Sequence, residues 1–525
     1  MIFKQFQLDF EKMPSFMYLF ATVVVIIASN IFIRIIYNLY FHPLARFPGP
    51  KSWAISRIPF VRSMQAGDLV HDIHKIHEKY GSIVRVAPNE VSFVDPRACK
   101  DIYGQRSGHK PFPKNPVWVP PPSERAPSIL NANNDDHYRI RRAWVHGFTD
   151  KALKDQEPLV KSHIDTLIRR LHEQVDQSKG YTDLDLVKWY NFTTFDIIGD
   201  LAFGESFGCL EKTEYHSWVA LIVFHFKAAV ISASFRFYPW LFKLLMMSVP
   251  KATLQKQRDH FSNAAEKVQR RLKLQRNRPD FLAHLSHGKQ SLSEGEIEST
   301  AAIIIMAGSN SLATTLASTT NHLTKYPKTL ERLTNEIRSS FKDESDMNLE
   351  RLVKLPYLSA VIEEGLRITC PVPLGMARVV PEGGDTVCGE FLPAGVSVAL
   401  VLIPLITCVS YMQYGANHSS KNFHQPNEFI PERWLDDPQA SSLFVNDKKE
   451  AHQPFSVGPR SCLGYKLAHL ELRLILAKMI WNFDISRPGG PDSGLDWTSQ
   501  KTYAVWVREP FIARLSPAHT SIFVE

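Results

Sequence analysis

The chain has few cysteines, and their positions exclude a disulfide framework. Disulfide scaffolds place cysteines at short, paired spacings, and this sequence shows no such pairing. The six cysteines of the 525-residue chain lie far apart: Cys99, Cys209, Cys370, Cys388, Cys408 and Cys462. We therefore predict a protein of a reducing compartment, in which a lone cysteine is by default structural.

Signs of domain division are also missing, because the sequence contains no Gly/Ser-rich linker and no internal repeat. One large domain is the simplest interpretation of such a chain. The formal net charge of +8 is modest for this length and includes no long Lys/Arg run. It argues weakly for an acidic protein partner or an anionic membrane surface, and we expect no nucleic-acid partner.

Charged residues are absent from Phe16 to Ile33. As a helix this stretch would be about 27 Å long, close to the hydrocarbon thickness of a bilayer. A cleaved signal peptide is the competing interpretation, but no small-residue cleavage site follows, and the apolar run exceeds a typical signal core. Arg34 and Arg46 follow the span, which places the body of the protein in the cytosol. We predict a membrane anchor over residues 1–36.

A proline-rich stretch, Phe41–Pro50, follows the predicted anchor. Proline has no N–H group and a fixed φ, so this stretch is unsuited to a helix or a central strand. We predict an extended neck over residues 37–52 and one large domain over 53–525.

The most informative stretch is the loop Phe455–Gly464, which contains Cys462 and passes directly into a helical pattern. The leucines that follow recur at the spacing of a buried helix face: Leu463, Leu467, Leu470 and Leu474. The sulfur is therefore expected near a helix N-terminus, where free amides and the helix dipole favour a thiolate. Gly458 and Gly464 allow a tight turn and the close approach of a flat ligand, and Arg460 offers a forked donor for carboxylates.

The full pattern, F-x-x-G-x-R-x-C-x-G, resembles the cysteine loop of the cytochrome P450 family. The resemblance implies that Cys462 is the thiolate ligand of haem iron and that Phe455 belongs to the haem site. It also implies a mainly α haem-thiolate fold with a small β region, closing strands near Tyr503 to Leu515, and haem b as the cofactor. The 53–525 domain would then be catalytic.

His137 and Arg141 lie four residues apart, on one face of a predicted helix. A basic surface helix is the default interpretation, but the pair also resembles the family's helix that binds the haem propionates. Arg378 matches a further propionate contact of the family. Arg139 and Arg142 are expected to face elsewhere, where a partner can reach them.

A capping box, Ser293–Glu296, begins a helix that we predict to run to about Tyr326. One face of this helix contains six residues: Ile297, Ala301, Ile304, Gly308, Ser311 and Thr315. A glycine in mid-helix costs about 1 kcal/mol relative to alanine, so Gly308 indicates that something approaches closely.

The stretch Ala307–Ser311 resembles the family's oxygen-binding motif, Ala/Gly-Gly-x-Asp/Glu-Thr. The resemblance implies catalytic roles for Ala307, Gly308, Asn310 and Ser311. Two positions depart from the motif, because Asn310 replaces the acid and Ser311 replaces the threonine. A serine hydroxyl can still donate a hydrogen bond and relay protons, whereas an amide does not shuttle protons.

Glu364 and Arg367 form an i, i+3 pair, which alone is usually a surface ion pair. Together with Arg433 they resemble the family's E-x-x-R and P-E-R-F elements, which would lock together beneath the cysteine loop.

Three further segments frame the predicted substrate pocket and the membrane surface. Gly104–Asn131 is a long proline-rich loop whose end, including Ser128, should contact substrate. The turn Pro371–Met376 should border the same pocket. Phe235–Phe242 is either core or a segment that enters the membrane surface, and we favour the second. The predicted pocket residues are Ile129, Leu130, Ile304, Val372, Leu374 and Tyr503.

One stretch does not fit the family: Ala399–Tyr411 adds thirteen mainly apolar residues. It is too short for a comfortable second span, and we interpret it as either a retained intron or a real insertion.

The resemblance implies an NADPH-dependent monooxygenase that oxidises a lipophilic small molecule, most typically in fungal specialised metabolism. Electrons would come from a flavoprotein reductase, NADPH-cytochrome P450 reductase, at the endoplasmic reticulum membrane, with a single-pass anchor and a cytosolic catalytic domain. Two alternatives stay open: a haem-thiolate isomerase, dehydratase or coupling enzyme, and a haem-binding protein without turnover.

Overall fold

The computed structural model describes residues 15–122, 125–178, 180–274, 278–285, 292–395, 406–436, 442–494 and 496–518. Helices dominate these residues. Their bounds are α1 Ser15–Ile36, α2 Lys51–Ile55, α3 Ile58–Ala66, α4 Leu69–Tyr80, α5 Pro96–Tyr103, α6 Asn134–Trp144, α7 Asp150–Gln177, α8 Leu186–Phe203, α9 Cys209–Lys212, α10 Ser217–Arg236, α11 Pro239–Ser248, α12 Lys251–Lys273, α13 Glu294–Lys325, α14 Pro327–Ser340, α15 Leu349–Leu352, α16 Pro356–Ile368, α17 Gln413–Asn417 and α18 Tyr465–Asn482.

The strands are short and form small sheets. Their bounds are β1 Ile83–Ala87, β2 Glu90–Phe93, β3 Thr182–Asp185, β4 Arg378–Val379, β5 Asp385–Val387, β6 Glu390–Leu392, β7 Cys408–Tyr411, β8 Phe483–Ser486, β9 Thr502–Tyr503, β10 Val505–Trp506 and β11 Ile512–Pro517. One sheet has the order β1-β2-β7-β4, another has the order β3-β11-β8, and β5-β6 and β9-β10 are hairpins. The predicted mainly α fold with a small β region is confirmed.

Helix α13 is the central element of the fold. It is 32 residues long and begins at the predicted capping box, in which Ser293 and Glu296 exchange hydrogen bonds. It packs against α8, α12, α14, α16 and α18, and every residue from Leu312 to Thr324 is buried. Burial on all sides explains why an apolar helix of this length lies within the protein core rather than in a membrane.

Helix α1 has the opposite character, since its described side chains are largely exposed. Met17–Phe41 is an apolar helical stretch of 25 residues, long enough to cross a bilayer, and 18 consecutive residues within it have a mean hydropathy of 2.4 and are all unburied. An apolar helix therefore lies where the anchor is predicted.

The predicted neck is only partly extended. Tyr37–Phe41 continues α1 as a π-helical turn, and α2 begins at Lys51. Between them the chain contacts the domain, with Leu44 fully buried. The Arg85 guanidinium donates to the Asn38 carbonyl at 2.7 Å, so this part of the neck is fixed to the domain.

Two other predicted segments are redefined by the structure. The predicted segment Phe235–Phe242 is not a single element, because α10 ends at Arg236 and α11 begins at Pro239. Of the predicted insertion, residues 399–405 lie outside the described part of the chain. Its last four residues, Cys408–Tyr411, are strand β7, which pairs in parallel with β2 and antiparallel with β4. These four residues are therefore integral to the sheet, contrary to the prediction that the whole segment is extra.

Candidate functional site

The cysteine loop ends at the N-cap of α18, and Cys462 lies two residues before that cap. The Cys462 amide donates to the Phe455 carbonyl at 2.8 Å, which closes the loop. Gly464 is the N-cap of α18, and Leu467, Leu470 and Leu474 are buried as the spacing predicts. The sulfur therefore lies near the expected helix N-terminus.

The Cys462 side chain is accessible, yet burial by the surrounding protein raises the pKa of its thiol. The Gly464 amide and the Arg141 charge act in the opposite direction and lower this pKa. Burial therefore opposes the effect of the helix terminus, and a metal cation that binds the sulfur would favour the thiolate.

The two loop glycines serve different purposes. Gly458 has φ of 79°, and a Cβ there would lie 2.1 Å from the Tyr103 carbonyl oxygen, so the turn and its packing both require glycine. Around Gly464 the nearest described atom to such a Cβ is 3.7 Å away, on Phe148. The protein does not crowd that side of the loop, which leaves it open to a flat ligand.

Basic side chains from four segments converge beside the cysteine. Arg141 of α6 donates to the Ser461 carbonyl at 2.7 Å, and Arg460 donates to the Ala132 carbonyl at 2.8 Å. Lys114 forms a β-bridge with Arg378. All four cations lie close enough to the buried His137 ring for their charges to lower its pKa.

The pKa shifts in this cluster have a common origin, burial among like charges. Burial, followed by the charges of Arg460, Lys114, Arg141 and Arg378, lowers the pKa of His137 to about 3. Burial, then Arg460 and Arg378, lowers the pKa of Lys114 to about 7. Burial and Arg378 lower the pKa of Arg460 to about 10. Buried cations that repel one another in this way are costly unless an anion lies among them.

The cluster fits the carboxylates of a haem. Among the described residues no carboxylate pairs with Arg141, Arg378, Arg460 or Lys114. In the part of the chain that the structure describes, the Arg378 Nε and one Arg460 Nη are buried and have no hydrogen-bond partner. Two propionates would supply both the acceptors and the negative charge that this site lacks.

Along the oxygen motif, α13 has accessible surface at Ala307, which is exposed, and at Ile304 and Ser311, which are half-buried. The Ser311 hydroxyl donates to the Ala307 carbonyl at 2.7 Å, a bond back to the preceding turn. Asn310 is buried, and its Oδ1 has no hydrogen-bond partner in the described part of the chain.

Gly308 lies close to a neighbouring helix. A Cβ at this position would lie 2.8 Å from Cδ1 of Ile198 on α8. That atom is the end of a flexible side chain, so the contact does not by itself require glycine, and the oxygen-binding role of Gly308 stays a prediction.

The Glu364 carboxylate is the centre of a fully buried network. It accepts two hydrogen bonds from Arg367, both at 2.8 Å, one from the Arg433 Nε at 3.2 Å and one from the Trp434 Nε1 at 2.8 Å. Burial alone would raise the pKa of Glu364, but the charges of Arg367 and Arg433 lower it to about 2. The surface-pair alternative is wrong, because none of these charged side chains has exposed area.

The network also reaches the cysteine loop. The Trp434 ring lies 5.2 Å from that of His452, three residues before the loop begins. Phe455, the first residue of the loop, packs at 5.2 Å against His469 of α18.

The predicted pocket residues fall into two groups. Ile129 and Ile304 pack against the same hydrophobic cluster around α13. Leu374 and Tyr503 belong to a second cluster, with the β1-β2 sheet. The Tyr503 hydroxyl donates to the Gln65 carbonyl of α3 at 3.4 Å, and the Lys227 ammonium of α10 lies 5.1 Å from the centre of its ring.

The remaining predicted pocket positions lie at the edges of these groups. Val372 is 44% exposed, and the Leu130 carbonyl accepts a hydrogen bond from Lys114. Ser128 is buried in the turn that precedes α6.

Two basic residues have roles that differ from the sequence prediction. Arg139 does not face outward to a partner, because its guanidinium binds Glu296 of the capping box and Asp136. Arg142 is exposed as predicted. Lys114 was missed, since a single lysine in a proline-rich loop carries no signal of the arginines that it meets in the fold.

A mainly helical fold with an accessible cysteine at a helix N-terminus, facing buried and uncompensated cations, defines a haem-thiolate class of protein. Comparison with known proteins agrees. The Cytochrome P450 family matches residues 48–501 of this chain. Cytochrome P450 monooxygenase atr2 of Stereocaulon alpinum is 41% identical over 486 residues, which is 92% of each chain.

Two further relatives are similar over nearly the whole chain. Averantin hydroxylase of Dothistroma septosporum is 41% identical over 489 residues, 92% of this chain and 88% of its own. Cytochrome P450 monooxygenase efuB of Hormonema carpetanum is 40% identical over 506 residues, 95% of this chain and 97% of its own. The chain belongs to the cytochrome P450 family, which implies a haem-thiolate cofactor, and the predicted monooxygenase class is confirmed at the level of the family and these relatives.

Proposed function

We propose that this protein is an NADPH-dependent monooxygenase that inserts one oxygen atom into a lipophilic small molecule of fungal specialised metabolism. The observation that carries the proposal is the accessible Cys462 sulfur beside buried cations that have no carboxylate partner among the described residues. The names of the relatives, monooxygenases and a hydroxylase, support this reaction type.

Each residue of the site has a definite task in this proposal. Cys462 holds the iron, and His137, Arg141, Arg378 and Arg460 hold the carboxylates of the haem. A thiolate-bound haem supplies the chemistry that activates dioxygen and cleaves its O–O bond. Phe455, Gly458 and Gly464 shape the loop so that the sulfur can approach the metal, and the network around Glu364 supports the loop from the other side.

On α13, the Ala307 position leaves space beside the cavity, and the Ile304 side chain gives the cavity an apolar wall. An apolar wall favours a lipophilic substrate, because burying apolar area contributes about 25 cal/mol per Å². The Ser311 hydroxyl carries the proton and donates it in a hydrogen bond to the Ala307 carbonyl. Proton delivery then depends on Ser311 and ordered water, since the Asn310 amide does not shuttle protons.

Asn310 also favours a second candidate function. A haem-thiolate isomerase, dehydratase or coupling enzyme does not need the acid that Asn310 replaces, so the substitution is compatible with such chemistry. A haem-binding protein without turnover is the third candidate. Dependence on NADPH and reductase together with gain of one oxygen atom separates the first candidate from the other two, and formation of any product separates the second from the third.

The proposed location is the endoplasmic reticulum membrane, with α1 as a single-pass anchor and the catalytic domain in the cytosol. The exposed apolar helix 17–41 supports the anchor. Helix α11 supports a second contact with the membrane, because none of its residues is buried. The proposed electron donor is NADPH-cytochrome P450 reductase.

The decisive experiment incubates microsomes that contain this protein and the reductase with candidate pathway intermediates. We expect an NADPH-dependent product whose mass is greater by one oxygen atom. A product of unchanged mass, or one lighter by water, formed without NADPH would favour the second candidate, and so would an NADPH- and dioxygen-dependent product lighter by two hydrogen atoms. A haem-loaded protein that forms no product from any intermediate would favour the third.

A further inference from the structure

One polar contact outside the site described above connects α13 to the loop that precedes α6. The Ile129 amide donates to the Thr300 hydroxyl oxygen at 3.2 Å. Thr300 is fully buried, and in the described part of the chain the Ile129 amide has no other acceptor. A buried amide that loses its acceptor is costly, so this bond holds the loop against the helix.

Thr300 lies on the same face of α13 as the oxygen motif. Positions 300, 304, 307 and 311 are spaced by four, three and four residues, which places them on one stripe. Ile304 and Ala307 are accessible, whereas Thr300 has no exposed area. The accessible part of this stripe therefore ends at Thr300, where the Ile129 amide bonds to the helix.

The covering turn, residues 128–131, is rigid by its own bonds. The Asn131 Oδ1 accepts hydrogen bonds from the amide and the hydroxyl of Ser128, at 2.8 and 2.9 Å. Lys114 donates to the Leu130 carbonyl at the other side of the turn. The hydrogen bond from the Ile129 amide to the Thr300 hydroxyl holds this preformed turn against α13 at the position of Thr300.

The distance from Thr300 to the oxygen motif along α13 determines how long a ligand must be to reach the turn. At a rise of 1.5 Å per residue, Thr300 lies about 10 Å from Ala307 and about 16 Å from Ser311. A substrate that reacts beside Ser311 and extends along the stripe reaches the turn only if it is long. A short ligand at the reacting centre does not touch the turn.

We propose that Thr300 is a positioning residue that, through Ile129, fixes the end wall of the substrate pocket and so sets the affinity for long ligands. This inference rests on the proposed function, because it needs a haem as the fixed end of the pocket. It adds a residue, Thr300, that neither the cysteine loop nor the oxygen motif contains.

The test compares two azoles that ligate haem iron through an imidazole nitrogen and shift its absorption band. Imidazole is too short to reach the turn, whereas 1-dodecylimidazole carries a chain long enough to reach it. The haem-loaded full chain is titrated as wild type, Thr300→Val, which keeps the shape and removes the hydroxyl, and Thr300→Ser, which restores it. Thr193→Val is the matched control, since that buried hydroxyl bonds only to the Trp189 carbonyl within α8.

We expect Thr300→Val to weaken 1-dodecylimidazole about five- to tenfold while the imidazole affinity stays within about twofold. Thr300→Ser and Thr193→Val should match the wild type for both ligands. Asn131→Ala, which loosens the turn without altering α13, should give the same selective loss and serves as the test if Thr300→Val does not retain haem.

Equal effects on both azoles, or no effect on either, would overturn the inference and leave Thr300 as a residue of the core. Failure of the proposed function would look different: a protein without a haem site would give no thiolate-haem spectrum and no shift with imidazole, and a haem-thiolate protein that is not a monooxygenase would keep the azole results but form no NADPH-dependent product heavier by one oxygen atom.

Discussion

At the scale of single residues, the proposed chemistry depends most on Cys462. We expect Cys462→Ser to lose the thiolate-haem signature, because a neutral hydroxyl is a poor substitute for an anionic sulfur at iron. The absorption spectrum of the reduced, CO-bound protein checks this. Cys388→Ser is the control, since Cys388 is a free and only half-buried cysteine between β5 and β6. An unshifted thiolate band in Cys462→Ser would mean that another residue binds the metal.

The second prediction at this scale concerns Ser311. If its hydroxyl delivers protons, Ser311→Ala should divert reducing equivalents to peroxide, with product formed per NADPH falling about tenfold or more and haem content unchanged. Asn310→Asp should be tolerated or should improve coupling, because it restores a carboxylate. Product, peroxide and NADPH are measured in the same incubation, which gives the product formed per NADPH consumed. Unchanged coupling in Ser311→Ala would limit the hydroxyl to its bond with the Ala307 carbonyl and would favour the non-monooxygenase alternative.

Local motifs were predictable from the sequence, and contacts across the fold were not. Cys462, Glu364 and Arg367 lie in short patterns whose spacing already carries meaning. The side chain that lies closest to Gly308 is that of Ile198 on α8, more than a hundred positions earlier in the chain. Likewise, Arg139 finds Glu296 157 positions away. No periodicity or motif in one sequence specifies such pairs.

At the scale of elements, the buried network joins α16 to the 3-10 turn Pro431–Trp434. Arg367→Ala or Arg433→Ala leaves Glu364 partly uncompensated in the core, typically a loss of about 3 to 5 kcal/mol in stability. We expect neither variant to incorporate haem, as measured by haem content per purified chain. Arg332→Ala is the matched control, because its 3.1 Å ion pair with Glu432 is half-exposed. Normal haem content in the Arg367 or Arg433 variant would show that the cysteine loop does not need this support.

Elements were predicted best where a periodic pattern meets a cap. The capping box Ser293–Glu296 located the start of α13, and the apolar stretch located α1. The neck was less predictable, because its prolines exclude helix only beyond Phe41 while Tyr37–Phe41 extends α1. Strand β7 shows a further limit: whether an apolar segment is an insertion or a strand depends on its partners, here β2 and β4.

At the scale of the whole molecule, the second membrane contact can be separated from the anchor. Three apolar side chains of α11 are strongly exposed: Trp240 at 65%, Leu244 at 55% and Met247 at 77%. A chain without residues 1–36 should keep its haem and still float weakly with lipid vesicles, since apolar side chains bury area in the interface. Trp240→Glu combined with Leu244→Glu should weaken this flotation at least about tenfold.

The control for this experiment is Val445→Glu, which changes an apolar residue that is 74% exposed in another part of the chain. It should float like the truncated parent. A truncated protein that stays wholly in the aqueous fraction would show that α11 does not reach the membrane.

The response to acid is also a property of the whole molecule, because buried histidines are spread over it. Burial lowers the pKa of four of them to about 4: His42, His77, His322 and His418. In the unfolded chain a histidine titrates near 6.5. Below pH 6.5 the unfolded state therefore takes up protons that the folded state refuses, and the free energy of unfolding falls until the pH reaches about 4.

Between pH 7.5 and 5.5 each of these histidines should lower the free energy of unfolding by about 1 kcal/mol. Urea unfolding of the haem-loaded protein at the two pH values measures the sum. His77→Gln removes one titrating ring, which bonds to the Gly81 carbonyl and the Ser92 hydroxyl, and should reduce the pH-dependent loss by about 1 kcal/mol even if it lowers stability at both pH values. His146→Gln, at an exposed position, should leave the loss unchanged. An identical loss in His77→Gln and the wild type would mean that protonation of this buried ring does not contribute to acid unfolding.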